Sequence, residues 1–245
     1  MLKGVVSVTF RKKSVEEIID IVKKSGLAAI EWGGDIHVPH GDVATAERVG
    51  KLTRAAGIEP ISYGTYYECT KEDVPFDDVL ASAVALGVKV IRVWAGKKNF
   101  DETTEEERKE TYAALRYAVD AAAKKGIIVA TELHINTLTN TLEGALEMLK
   151  QVPGLKTYWQ CVKNAPDPEE EYAAIRTLGK NIVGTHIGGS WIDGIKHPLE
   201  ELGEQVSNYI SMLEELETPQ YMMIEFVAGD SGEQLIKDAE FLLKA

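Results

Sequence analysis

The chain has 245 residues, with 27 Lys and Arg against 39 Asp and Glu, a formal charge of −12, and 44% hydrophobic and 27% charged residues. That balance belongs to a folded globular protein with a sizeable core and excludes a disordered one. The acidic excess argues against nucleic acid as a partner, because phosphate-backbone binding is driven by Lys and Arg. No run reaches the roughly 20 apolar residues of a membrane span, and MLKGVVSVTFRKK lacks a secretory leader's apolar core and cleavage site; a cytoplasmic protein without membrane partners is expected. Cys69 and Cys161 form no CxxC pair and are expected to be reduced thiols.

In chain order, β-rich runs alternate with amphipathic helical runs. GVVSVT is followed by SVEEIIDIVKKSG, in which Ser14 and Glu17 have capping-box spacing and Gly26 stands where a helix ends. AAIEW leads to VATAERVGKLTRAAG, IEPISYG to DDVLASAVALG, and VKVIRVW to a helix from Thr104 to about Lys125, again with a capping box, Thr104 with Glu107. IIVATE precedes a helix over Leu142 to Val152, and TYWQ precedes one announced by Asp167, Pro168 and Glu170. NIVGTH precedes a helix from Pro198 to about Leu216, and YMMIEF leads into GEQLIKDAEFLLKA. Eight strand and helix pairs in about 250 residues, without a linker, predict an α/β fold, a (β/α)8 TIM barrel forming one domain over residues 1–245; an open doubly wound sheet is the alternative.

In such a barrel the chemistry gathers at the carboxyl ends of the strands. All five histidines fall there: His37 and His40 after the second strand, His134 after the fifth, His186 ending the seventh, and His197 beyond it. Trp32, Trp94, Trp159 and Trp191 fall there too, an aromatic and polar rim suited to a small polar ligand. Glu31 and Trp32 are expected to shape the pocket floor, with Gly33 and Gly34 permitting a sharp turn; Tyr66, Arg92 and Trp191 are pocket residues by position alone.

Glu132 in VATELH, Gln160 in TYWQCV, His186 in VGTHIG and Glu225 in MMIEFV are each the first strongly polar residue, or nearly so, after an apolar strand. Carboxylate, amide and imidazole donors without thiolate suit Mn2+ or Mg2+ first, then Zn2+ or Co2+. Two glutamates flanking one cation also make an acid and base pair, with Glu132 and Glu225 as the catalytic residues. Buried hydrogen-bonded pairing without metal is the structural alternative.

At these residues the sequence resembles the sugar isomerase and epimerase superfamily with the xylose-isomerase-like barrel, a superfamily that also contains the endonuclease IV branch. The resemblance covers essentially the whole chain. It rests on Glu132, His186, Glu225 and TELHINTLTNT; IEWGGDIHVPHGD, YGTYYE, VIRVWAG and TYWQ look like a bacterial subgroup of sugar phosphate isomerases and epimerases. The resemblance implies a Glu, Asp, His, Glu ligand set, which falls on Glu132, Gln160, His186 and Glu225, with an amide in the aspartate's place. Where relatives often carry a substrate-binding histidine three residues later, this chain has Lys163.

The expectation is therefore a metal-dependent isomerase or epimerase of a sugar, keto-sugar or sugar phosphate, working through an enediolate. His37, His40, Trp94, His134, Lys163 and His197 are the expected substrate contacts, with solvent exposure of one of the first two histidines as the alternative. A homo-oligomer is compatible with such a barrel. Three other readings are a dehydratase or lyase on an inosose-like or keto-glycoside substrate, a non-catalytic sugar-binding barrel, and an endonuclease IV-like repair enzyme. The last would need a three-zinc cluster and a basic face, which five histidines and −12 oppose.

Overall fold

Eight parallel strands close into a barrel in the computed structural model, which describes residues 1–70, 74–160, 168–216, 218 and 221–245. The strands are β1 (Leu2–Val6), β2 (Ala29–Gly33), β3 (Glu59–Gly64), β4 (Val90–Val93), β5 (Ile128–Glu132), β6 (Lys156–Gln160), β7 (Ile182–Ile187) and β10 (Tyr221–Ile224), in the order β1, β10, β7, β6, β5, β4, β3, β2. The helices are α1 (Val15–Ser25), α2 (Val43–Ala55), α3 (Phe76–Leu86), α4 (Glu105–Ala123), α5 (Leu142–Gln151), α6 (Pro168–Leu178), α7 (Glu204–Glu214) and α8 (Gly232–Lys244). The fold is the (β/α)8 TIM barrel that the alternation predicts. By packing, Met1–Trp32, Leu52–Glu59 and Trp159–Ala245 form one compact unit, and Gly33–Lys51 and Pro60–Tyr158 another.

Both predicted capping boxes form. Ser14 Oγ accepts from Glu17 N at 3.2 Å while Glu17 Oε2 accepts from Ser14 N at 2.7 Å; Thr104 and Glu107 repeat the exchange at 3.2 and 2.8 Å. Each satisfies amide donors that a first helical turn leaves without intrahelical acceptors.

Three segments differ from the sequence expectation. β1 stops at Val6, and Ser7–Phe10 turn as a 3-10 helix. The helix expected from Pro198 to Leu216 is broken by Gly203 at φ 55°, so a 3-10 turn over Leu199–Leu202 precedes α7. Between β7 and that turn lies an unanticipated antiparallel hairpin, β8 (Trp191–Ile192) and β9 (Ile195–Lys196). Its two-residue turn places Asp193 and Gly194 at φ 49° and 76°, the positive values that a tight hairpin turn matching strand twist requires.

Candidate functional site

Strand register decides which polar side chains share a face. In the first unit His186 pairs with Met223, two residues before Glu225, while Val5 pairs with Ile224 and Val6 with Glu31. Because side chains alternate along a strand, Glu31, His186 and Glu225 point to one face. Trp32 necessarily points to the other: wholly buried, it donates from Nε1 to Thr53 Oγ1 of α2 at 3.1 Å. Trp159 likewise packs on Tyr209 of α7, centroids 4.9 Å apart. These two tryptophans serve the helix layer, so only Trp94 and Trp191 remain of the expected aromatic rim.

His186 is fully buried between two carboxylates. Its Nε2 lies 3.4 Å from Glu31 Oε1 and its Nδ1 3.7 Å from Glu225 Oε1. Gln160 donates from Nε2 to Glu225 Oε2 at 3.0 Å. Beyond Glu225 the chain turns at Phe226, whose φ is 58° and whose N–H donates to Thr9 Oγ1 at 3.0 Å. Lys196 Nζ sits 4.8 Å from the Phe226 ring centroid and 5.3 Å from that of Trp191, and pairs with Asp230. That cation–π contact ties the hairpin to the loop following Glu225. His197 follows the hairpin, its Nδ1 2.9 Å from Glu201 Oε2.

In the second unit Arg92 pairs with Ala130, two residues before Glu132, which sets both side chains on one face. Arg92 Nη1 stands 2.8 Å from Glu132 Oε2, and both are buried. Above Arg92 lies the Trp94 ring at 5.9 Å; His134 meets that ring edge-on at 4.6 Å and Tyr66 leans on it at 5.9 Å. The Trp94 indole nitrogen is buried with no hydrogen-bond partner among the described residues.

The run LTNT acts as a brace. Thr139 Oγ1 donates to the Glu132 carbonyl, Leu138 N to the Ala95 carbonyl at 2.8 Å, and Asn140 Oδ1 accepts from Phe100 N at 2.8 Å. Thr141 then caps α5 by accepting from Gly144 N at 3.1 Å. Thr139 thus holds the Glu132 main chain, while its three neighbours tie the loop to Ala95, Phe100 and α5.

His37 is buried and His40 partly exposed. His40 meets Tyr63 edge-on, centroids 5.9 Å apart, and Tyr63 donates to the Val38 carbonyl at 2.6 Å; burial pushes the Tyr63 hydroxyl up. Neither Gly33 nor Gly34 has positive φ, so the turn does not explain the glycine pair. Space does at Gly34, where a Cβ would stand 2.7 Å from His40 Nε2. Lys163 lies outside the described residues.

In the first unit His186 and Glu225, both buried, offer an imidazole nitrogen and a carboxylate oxygen 3.7 Å apart, and in the second Glu132 offers a buried carboxylate; donors of these kinds suit a hard or borderline divalent cation. Sequence reasoning gave Arg92 no role beyond position, although a charge inside the apolar run VIRVW needs a buried partner.

A family model described as a xylose isomerase-like TIM barrel matches residues 19–245. The 3-dehydroshikimate dehydratase of Bacillus anthracis is 25% identical over 187 residues, 69% of this chain and 66% of that protein, just under two thirds of its length. The crystal structure of the probable 3-DHS dehydratase AsbF from Bacillus anthracis superposes with a TM-score of 0.80 at 20% identity, covering 99% of each chain. D-psicose 3-epimerase from Clostridium cellulolyticum H10 gives 0.73 at 16% identity over 100% of this chain and 97% of that one. The 3-keto-D-glucoside 4-epimerase of E. coli gives 0.72 at 15% identity over 100% of both.

Proposed function

We propose, from the premise that the chain belongs to the xylose isomerase-like TIM barrel family, that it is a divalent-metal-dependent isomerase or epimerase of a sugar, keto-sugar or sugar phosphate. The observation that carries this reading is the buried imidazole of His186 beside the Glu225 carboxylate; Glu132 is proposed as a third donor and Gln160 as a fourth, neutral one. A bound Mn2+ or Mg2+ would polarise the substrate's carbonyl and hydroxyl oxygens, easing loss of the C–H proton between them. One of Glu132 and Glu225 takes that proton and the other returns one to the neighbouring carbon or the opposite face, through an enediolate. Arg92 compensates Glu132 and Gln160 steadies Glu225, so each carboxylate is held at Oε2 before substrate arrives. Trp94, with His134 edge-on against its ring, is proposed as an aromatic contact for the substrate, and the Trp94 N–H is a donor suited to a substrate oxygen. His37, His40, Lys163 and His197 are proposed as further contacts.

A dehydratase is the second reading, favoured by the curated relative and by the highest of the quoted superpositions. It shares the first step, removal of a proton beside a carbonyl, and then expels hydroxide, which leaves as water after protonation. Glu132 or Glu225 serves as base in either case.

The deciding experiment measures metal content of protein purified without chelator, beside Glu225→Gln handled identically, then follows keto-sugars and 3-dehydroshikimate by mass spectrometry. Near-stoichiometric metal lost in the variant, with product of unchanged mass, supports the isomerase; loss of water supports the dehydratase. A parent that neither contains nor takes up metal removes the metal-dependent reading and favours a sugar-binding barrel. The reading implies a small-molecule substrate, and no helix among the described residues is long and apolar enough to cross a membrane.

A further inference from the structure

We infer that Glu31 is a positioning residue for His186: its carboxylate is the acceptor that draws the imidazole proton to Nε2 and so keeps the Nδ1 lone pair turned toward Glu225, available to a cation. The inference rests on the metal-binding reading of the site and concerns a residue outside the proposed ligands.

A carboxylate in the middle of the apolar run AAIEW is costly unless something compensates it. Glu31 is completely buried, as is His186, and the register places both side chains on the same face. The ring is approached from two edges, Nε2 by Glu31 Oε1 at 3.4 Å and Nδ1 by Glu225 Oε1 at 3.7 Å.

A neutral imidazole has one N–H and one lone pair. If the proton sat on Nδ1, it would be directed at Glu225 and the nitrogen on that side could not bind a cation. With the proton on Nε2, the N–H is directed at Glu31 Oε1, and the lone pair faces the Glu225 carboxylate. Histidines that bind metal commonly give their second N–H to a carboxylate, which fixes tautomer and ring orientation and raises ligand basicity. Glu31 is placed for that task. Glu225, already accepting from Gln160 at Oε2, is placed for the other.

The test uses the full chain, labelled with 15N-histidine and stripped with chelator, and reads the His186 tautomer by long-range 1H–15N correlation, assigned through His186→Gln. Mn2+ affinity is titrated on the same protein. Expected are the Nε2–H form in the parent, loss of that preference in Glu31→Gln, and Mn2+ binding about 10- to 100-fold weaker. Glu31→Asp, which keeps the charge but withdraws it by one methylene, should fall between.

A parent with its proton on Nδ1 overturns the inference, and so does a folded Glu31→Gln that binds Mn2+ within about twofold of the parent. The parent tautomer decides the matter even if Glu31→Gln fails to fold. If the parent takes up no Mn2+, the metal-dependent reading falls, and the apo tautomer still reports separately whether Glu31 orients His186.

Discussion

Arg92 and Glu132 form a buried ion pair, with Nη1 2.8 Å from Oε2 and side chains 4% and 5% exposed. Removing one partner leaves the other charged and uncompensated, which typically costs several kcal/mol more than the pair itself contributes. Arg92→Met is therefore expected to lose about 3 kcal/mol in urea unfolding. Adding Glu132→Gln should return a large part of that loss. A double variant as unstable as the sum of the two singles would mean that the pair is not coupled.

The same pair separates two variants that a mechanism alone would treat alike. Glu132→Gln removes the carboxylate that faces Arg92 Nη1 and should unfold at clearly lower temperature than the parent. In Glu225→Gln the new amide oxygen can still accept from Gln160. This variant should keep a near-parental melting temperature while turnover falls about 100-fold or more, the usual scale for a lost acid or base. Turnover within a factor of a few of the parent in Glu225→Gln, measured on whichever substrate the screen identifies, would remove Glu225 from the proton-transfer step.

Gly189 explains why the hairpin sits where it does. A Cβ there would meet the His197 carbonyl oxygen at 1.8 Å and the Pro198 carbonyl carbon at 2.9 Å. Backbone atoms cannot rotate away as a side chain does. Gly189→Ala should cost about 3 kcal/mol, the upper end for overpacking a tight site, and displace Trp191 and His197 together. A near-normal melting temperature would show that the segment after β7 relaxes cheaply. Gly194→Ala is the contrast: at φ 76° in open space, it carries only the left-handed penalty of about 1 kcal/mol.

The barrel was legible because its signals are local and repeated: both capping boxes, the apolar strands, and glycines such as Gly26 and Gly87 in left-handed conformation at helix ends. The placing of His186 beside Glu225 follows from one rule, that polar residues ending neighbouring apolar strands meet on one face of the sheet. What a strand-end rule cannot give is parity. Trp32 and Trp159 end strands as surely as Glu31 and Gln160 do, yet stand one residue out of phase and serve the helix layer. Partnership was equally invisible for Arg92, whose place in VIRVW declares a buried charge without naming Glu132, 40 positions later. The hairpin carried a readable signal, Asp193 and Gly194 between Trp191–Ile192 and Ile195–Lys196, but two residues per strand fall below the length at which alternation can be recognised.

Asp238 supplies a test in which pH is the variable. Its carboxyl in α8 is buried, accepting at Oδ1 from Leu199 N and from Gln234 Nε2, both at 2.9 Å. Burial pushes its pKa up, and those two donors only partly oppose the shift. Because the folded value lies above the unfolded one, folding favours the protonated form. That contribution is fully present below the ordinary carboxylate range and is lost as pH rises through the raised value. Asp238→Asn keeps the carbonyl oxygen for both donors and removes the charge. The variant should therefore melt close to the parent at about pH 4 and above it by a growing margin toward about pH 7. A melting difference that stays flat over that range would show that the fold does not penalise the Asp238 carboxylate, and that the junction between α8 and the 3-10 turn at Leu199–Leu202 tolerates the charge through its two donors.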